Sequence, residues 1–237
     1  MDRARQRANT GRFVIEIRLN PILLFGGTFD PVHNAHTAMA AAALAETGTA
    51  KLTILAAGNP YQRGRLPFAS ASHRLAMLKI AFADCLSVSI DARELERKGP
   101  TYTVDTLREL HRAHGAGARL IWLIGGDAFA RLDTWHEWRS LFTLTNFVVA
   151  LRQGEPHPMH AASAALSAHL DGKRTHASAL GASHHGKYAM LEATVPAISS
   201  TDIRARLKHR QSIRGIAPDG VCDYIEQHSL YSHEEKT

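Results

Sequence analysis

Cysteine is almost missing from this chain of 237 residues: only Cys85 and Cys222 occur, with no short Cys-x-x-Cys spacing. That argues against a disulfide framework and for reduced thiols in a cytoplasmic protein. Long hydrophobic runs are missing as well. The longest small-apolar stretch, "AMAAAALA" at 38–45, is far too short to cross a bilayer. The basic opening, "MDRARQRANTGRF", has no apolar segment and no cleavage signature, so residues 1–20 read as a disordered basic tail and not as a secretory signal. No internal repeat is visible. The basic residues are dispersed, without an aromatic-interleaved motif of the kind that binds RNA. Neither nucleic acid nor a membrane is therefore an expected partner, and a homo-oligomer is left open.

What is present is an excess of positive charge: 28 Lys and Arg against 22 Asp and Glu, net +6. Such a balance suits polyanionic ligands. Apolar runs alternate with amphipathic ones. Strands are expected at 21–25, 51–57, 86–90, 119–126, 146–151 and 187–193. Helices are expected at 36–47, after Ser72, from Thr103 to the stop at Gly115, after Thr134, from the Ser-Ser-Thr at 199–201, and at 219–228. This alternation predicts an α/β fold with a mostly parallel sheet covered by helices on both faces. Residues 21–237 are expected to form one domain, interrupted by a long connection at 152–186. Its six histidines are irregularly spaced in polar sequence and read as a solvated surface.

The segment "FGGTFDPVHNAH", residues 25–36, leaves a strand and enters a helix. Gly26 and Gly27 lack a Cβ, so the backbone there can turn sharply and approach a ligand closely. The helix start offers N–H groups and partial positive charge to the same place. His33 and His36 share one face of the first turn. Three readings stay open: solvated helix-start residues, part of a metal site, or donors to phosphate oxygens. The metal reading lacks a Cys or acidic partner at ligand spacing. A Walker loop is excluded, since its Gly-Lys-Ser/Thr ending is missing. A second anion signal lies at "ISSTDIRARL", where Ser199, Ser200 and Thr201 open a helix with Arg204 one turn in. An ordinary cap with a solvated Arg is its plain alternative.

"GGTFDPVHNAH" resembles the GGTFDPxHxGH signature of the nucleotidyltransferase superfamily, and "ISSTDIR" resembles that superfamily's C-terminal motif. "RELERKGPTYTVDTL", "LIGGDAFARLDTWHEW" and "VVALR" are similar to segments of the bacterial nicotinate-nucleotide adenylyltransferase family, and the likeness runs over about 22–230. The resemblance implies a Rossmann-like nucleotidyltransferase fold and transfer of the adenylyl group of ATP to nicotinate mononucleotide, giving deamido-NAD and pyrophosphate. It implies ATP binding by Gly26, Gly27, Thr28, Phe29, His33, His36, Asp127, Ser199, Ser200, Thr201 and Arg204, with His33, His36 and Arg204 catalytic. Nicotinate mononucleotide would fall to Tyr102, Thr103, Trp135, His136 and Arg152, with Trp138 in the core. Mg²⁺ is expected as the cofactor, carried with ATP, without dedicated protein ligands. Asp127 also reads as a helix N-cap. Two departures stand out. Ala35 replaces the motif glycine, and "NPYQRGRLPF" replaces the family's basic loop, where Arg63 or Arg65 could supply the cation. Nicotinamide mononucleotide or phosphopantetheine remains an alternative acceptor.

Overall fold

A computed structural model describes residues 20–60 and 66–232. Most of the expected basic tail, and both Arg63 and Arg65, lie outside the described residues. The chain runs through β1 (Ile22–Gly27), α1 (Asn34–Thr47), β2 (Leu52–Ala56), α2 (Ala71–Ala81), β3 (Val88–Asp91), α3 (Arg93–Glu96) and α4 (Thr103–His114). It continues with β4 (Leu120–Gly125), α5 (Gly126–Phe129), α6 (Trp138–Leu141), β5 (Asn146–Ala150), α7 (Ala164–Leu170), β6 (Tyr188–Met190), α8 (Ser200–Lys208) and α9 (Asp219–Gln227).

The six strands pair in the order β3-β2-β1-β4-β5-β6, and every pairing is parallel. Successive side chains on a strand point to opposite faces, and here that period sorts the apolar residues into two cores. Leu23, Phe25, Leu52, Ile54, Ile121 and Leu123 enter one core, with α1, α2, α8 and α9 over it. Leu24, Leu55, Trp122, Ile124, Phe147 and Val149 enter the other, with Val104, Leu107 and Leu110 of α4. Burying a side chain such as Leu107 is worth about 1.5–3 kcal/mol. Strand order reverses between β1 and β4, which opens a crevice beyond their carboxyl ends, the usual ligand position in such sheets.

Local detail departs from the sequence expectations in four places. The first helix starts at Asn34, earlier than the expected 36, with His33 as its extended N-cap residue. Ser70, not Ser72, caps α2, and its Oγ accepts from His73 N at 3.3 Å. The expected helix after Thr134 is broken. A 3-10 turn covers Leu132–Thr134, Trp135 is extended, and α6 begins only at Trp138. The connection at 152–186 is also more ordered than its composition implies. It holds 3-10 turns at Pro158–His160 and Ala177–Ala179 and the helix α7, capped by Ser163. Nor are all six of its histidines solvated, since the His169 ring lies 4.6 Å from Phe142 and 5.1 Å from Trp138. Among the described residues, no helix is long and apolar enough to cross a membrane.

Candidate functional site

A cleft of about 630 Å³ opens at the carboxyl ends of β1 and β4. Gly26, Gly27, Thr28, His33 and His36 line one wall, and Ser199, Ser200 and Thr201 line another. Thr103, Asp127, Trp135 and Arg152 also face it, as does Arg131, which lies inside the "LIGGDAFARLDTWHEW" segment without an expected role. Phe29, Tyr102, His136 and Arg204 are outside the lining.

The two glycines have a packing reason that the sequence did not reveal. A Cβ on Gly26 would come within 2.1 Å of Trp122 Cζ2, and one on Gly27 within 2.9 Å of the Phe29 ring. Both hydrogens therefore make room for aromatic rings under the cleft. Phe29 has φ 51° and is 2% exposed. Its ring packs edge-on against Phe25 at 5.3 Å and against His36 at 5.0 Å, so it supports the wall without lining it.

His33 and His36 stack with ring centroids 3.7 Å apart. The backbone N–H of His33 donates to His36 Nδ1 at 3.2 Å. A ring nitrogen that accepts carries no proton, so neutral His36 holds its proton on Nε2. His33 is 4% exposed, with its Nδ1 buried and unpartnered among the described residues. Burial, helped by the Arg152 cation and opposed by Asp202, pushes its imidazole down to about 3. The His33 imidazole is thus uncharged in a neutral solution. Ala35, in the turn between them, is 1% exposed and also lines the cleft.

Direct bonds fasten the two distant motifs together. Ser200 Oγ donates to Pro31 O at 2.9 Å, and Arg204 Nη1 donates to Asp30 O at 2.6 Å. Arg204 Nη2 donates to Thr201 Oγ1 at 3.2 Å, and the guanidinium sits 4.5 Å over the Phe68 ring. Arg204 is 8% exposed, so the solvated-Arg alternative fails, and its fork holds the cleft wall together from behind. Ser199 is the N-cap of α8 and accepts from Asp202 N at 3.1 Å.

On the opposite side, Asp127 is not an N-cap: Gly125 holds that position, and Asp127 Oδ1 accepts from Ala128 N. Its Oδ2 lies 3.1 Å from Arg152 Nη2. Tyr102 is the N-cap of α4, and its ring stands 4.3 Å from that of His136. Residues that the sequence did not single out complete the frame. Arg74, 2% exposed, donates from Nη1 to Thr28 O at 2.8 Å and to Ala57 O at 2.7 Å. Asp30 accepts from Phe68 N at 2.7 Å and Ala69 N at 3.0 Å. Glu94 lines the cleft, is 6% exposed and takes a 2.6 Å bond from Thr106 Oγ1. Burial pushes its carboxyl up to about 7. Asp30 lies inside the first motif and Glu94 inside the "RELERKGPTYTVDTL" segment, but neither had an expected role there. Arg74 is an isolated polar letter whose partner Thr28 lies 46 residues away.

A parallel sheet with histidines and a hydroxyl-rich helix start converging on its switch-point crevice defines a nucleotide-binding α/β protein. The cytidylyltransferase-like family model matches residues 24–206. A probable nicotinate-nucleotide adenylyltransferase of Dechloromonas aromatica is 41% identical over 212 residues, covering 89% of this chain and 97% of that protein. One from Bordetella petrii is 40% identical over 208 residues, covering 88% and 97%. Among solved structures, Plasmodium falciparum nicotinic acid mononucleotide adenylyltransferase complexed with NaAD shares the fold, with a TM-score of 0.64 at 18% identity over 91% of this chain and 98% of that one. The chain belongs to the nicotinate-nucleotide adenylyltransferases of the cytidylyltransferase-like family.

Proposed function

We propose that this protein transfers the adenylyl group of ATP to nicotinate mononucleotide, forming nicotinate adenine dinucleotide and pyrophosphate in NAD biosynthesis. The acceptor phosphate attacks the α-phosphorus, and pyrophosphate leaves. Such transfers need little covalent work from the protein, because positioning and charge stabilisation supply most of the rate. The observation that carries this reading is the convergence of the α1 and α8 helix starts on one cleft, joined by the Ser200 and Arg204 bonds.

In this reading the Nε2–H of His36 and the neutral imidazole of His33 donate to ATP phosphate oxygens. The N-terminus of α8, with Ser199, Ser200 and Thr201, receives the leaving pyrophosphate. Arg204 acts through Asp30 and Thr201, as a positioning residue. Trp135 packs on the pyridine ring, and the start of α4 at Thr103 offers N–H donors to the nicotinate carboxylate. Because Trp135 and His136 are outside any helix, the reading of the carboxylate rests on the α4 start at Thr103 and not on a second helix start at Trp135. Among the described residues no group of three or more His, Cys, Asp or Glu could hold a metal ion. Mg²⁺ would be carried by triphosphate oxygens and water, as it often is, and would neutralise charge on the phosphates.

The test is pyrophosphate release with ATP and, in turn, nicotinate mononucleotide, nicotinamide mononucleotide and phosphopantetheine. A carboxylate only accepts hydrogen bonds, whereas a carboxamide sets its own donors against the N–H groups of α4. Each mismatch costs roughly 1–3 kcal/mol, so kcat/KM for the nicotinate form should lead by about tenfold or more. Equal use of the amide, or turnover with phosphopantetheine alone, would overturn the acceptor assignment.

A further inference from the structure

Trp135 reaches the cleft from a turn with an unusual residue in it. The turn is closed by Trp138 N donating to Trp135 O at 3.1 Å. Its third residue, Glu137, has φ 48° and ψ 41°, a left-handed conformation. Such a position favours glycine or asparagine, because a Cβ crowds the following carbonyl there. Glutamate occupies it, and its carboxylate is gripped from α4. Arg108 Nη1 donates to Glu137 Oε1 at 3.1 Å, and Nη2 to Oε2 at 2.5 Å. Ser140 Oγ adds a 3.3 Å bond to Oε2, and one residue back the His136 ring lies tilted against Tyr102 at 4.3 Å. The same helix α4 therefore carries Thr103 on the cleft at its first residue and Arg108 a turn and a half further on.

We infer that the bidentate fork of Arg108 on Glu137 is a positioning device, which fixes the Trp135 turn against the start of α4 so that the pyridine-stacking ring and the carboxylate-reading amides keep one spacing. Both partners are more than a third exposed, and exposed ion pairs add little to global stability. The planar fork does constrain direction, since two parallel bonds admit one relative orientation of the two elements. The strained residue and the fork belong together: glycine would relax the backbone but lose the grip.

The inference rests on the proposed acceptor site, and the experiment separates the two. Glu137→Gln, Glu137→Gly, Arg108→Glu and the exchanged pair Arg108→Glu with Glu137→Arg are compared with the wild type. KM is measured for each substrate, and amide hydrogen exchange at Trp138 and Ser140 is measured without substrate. Small misplacement of a binding group has large kinetic effects, so each single change should raise the mononucleotide KM roughly tenfold. The ATP KM should stay within about twofold, exchange at both amides should speed up, and the exchanged pair should restore both readouts. Unchanged exchange in the single variants, or a Glu137→Gly protein that binds mononucleotide as well as the wild type, would overturn the positioning role. Equal rises in both KM values would do the same. A wild type that fails to use nicotinate mononucleotide counts against the acceptor assignment alone, and the fork is then judged on amide exchange.

Discussion

The hydroxyl of Tyr231 donates to Asp30 Oδ1 at 2.8 Å, fastening the last described turn to the loop between β1 and the histidine-bearing helix. The same carboxylate holds the N–H groups of Phe68 and Ala69, while the Asp30 carbonyl takes Arg204. Three distant pieces of chain thus meet on Asp30 behind the cleft. Tyr231→Phe removes a single bond to a charged acceptor, worth about 1.5–3 kcal/mol. Calorimetry should show Tm lower by roughly 3–12 °C at about 2–4 °C per kcal/mol, with the fold retained. An unchanged Tm would mean that the bond adds nothing.

His33→Ala and His36→Ala should each lower kcat while changing either KM much less. Loss of one preorganised donor typically costs about 10²–10³ in rate. Steady-state kinetics with both substrates at saturating Mg²⁺ decide this. Near-normal turnover would remove the imidazoles from the chemistry.

The stability of the protein should carry the mark of neutral His33. Its folded value, about 3, lies below the ordinary 6.5. A depressed group contributes stability that is fully present above the unfolded value and is lost as pH falls towards the folded one. Between pH 7 and pH 4.5 this group alone should cost about 2–3 kcal/mol. Urea titrations at the two pH values should show that loss in the wild type and a smaller one in His33→Asn.

Glu94 should act in the opposite direction. Burial raises it from 4.5 to about 7, so the stability it contributes is full below pH 4.5 and fades as pH rises through 7. Glu94→Gln cannot ionise. Between pH 5.5 and pH 8.5 the variant should gain roughly 2 kcal/mol relative to the wild type, read from paired urea titrations. A pH-independent difference would mean that the carboxyl titrates normally.

Arg204→Lys keeps the charge but cannot reach Asp30 O and Thr201 Oγ1 together while covering the Phe68 ring. A clear loss in kcat/KM for ATP is expected, by about tenfold or more, since small displacements of positioned groups are costly. Wild-type kinetics in the lysine variant would show that the fork is dispensable.

Residue order alone determined the α/β alternation, the parallel sheet and the two helix-start motifs. Those features are local: a period of two in Leu23 to Phe25, a glycine pair ending a strand, and a Ser-Ser-Thr opening a helix are each written in neighbouring residues. Hydroxyls and imidazoles at helix starts were legible for the same reason. Only the tertiary structure decided how these parts are held. It set Trp122 against Gly26, turned Arg204 towards Asp30, broke the expected helix at Trp135, and placed Arg74, Glu94 and Tyr231 around the cleft. Gly26, Arg204, Arg74 and Tyr231 each depend on a partner tens to hundreds of residues away. A buried polar side chain is defined by the group that satisfies it, and that group is named by the fold and not by the adjacent sequence.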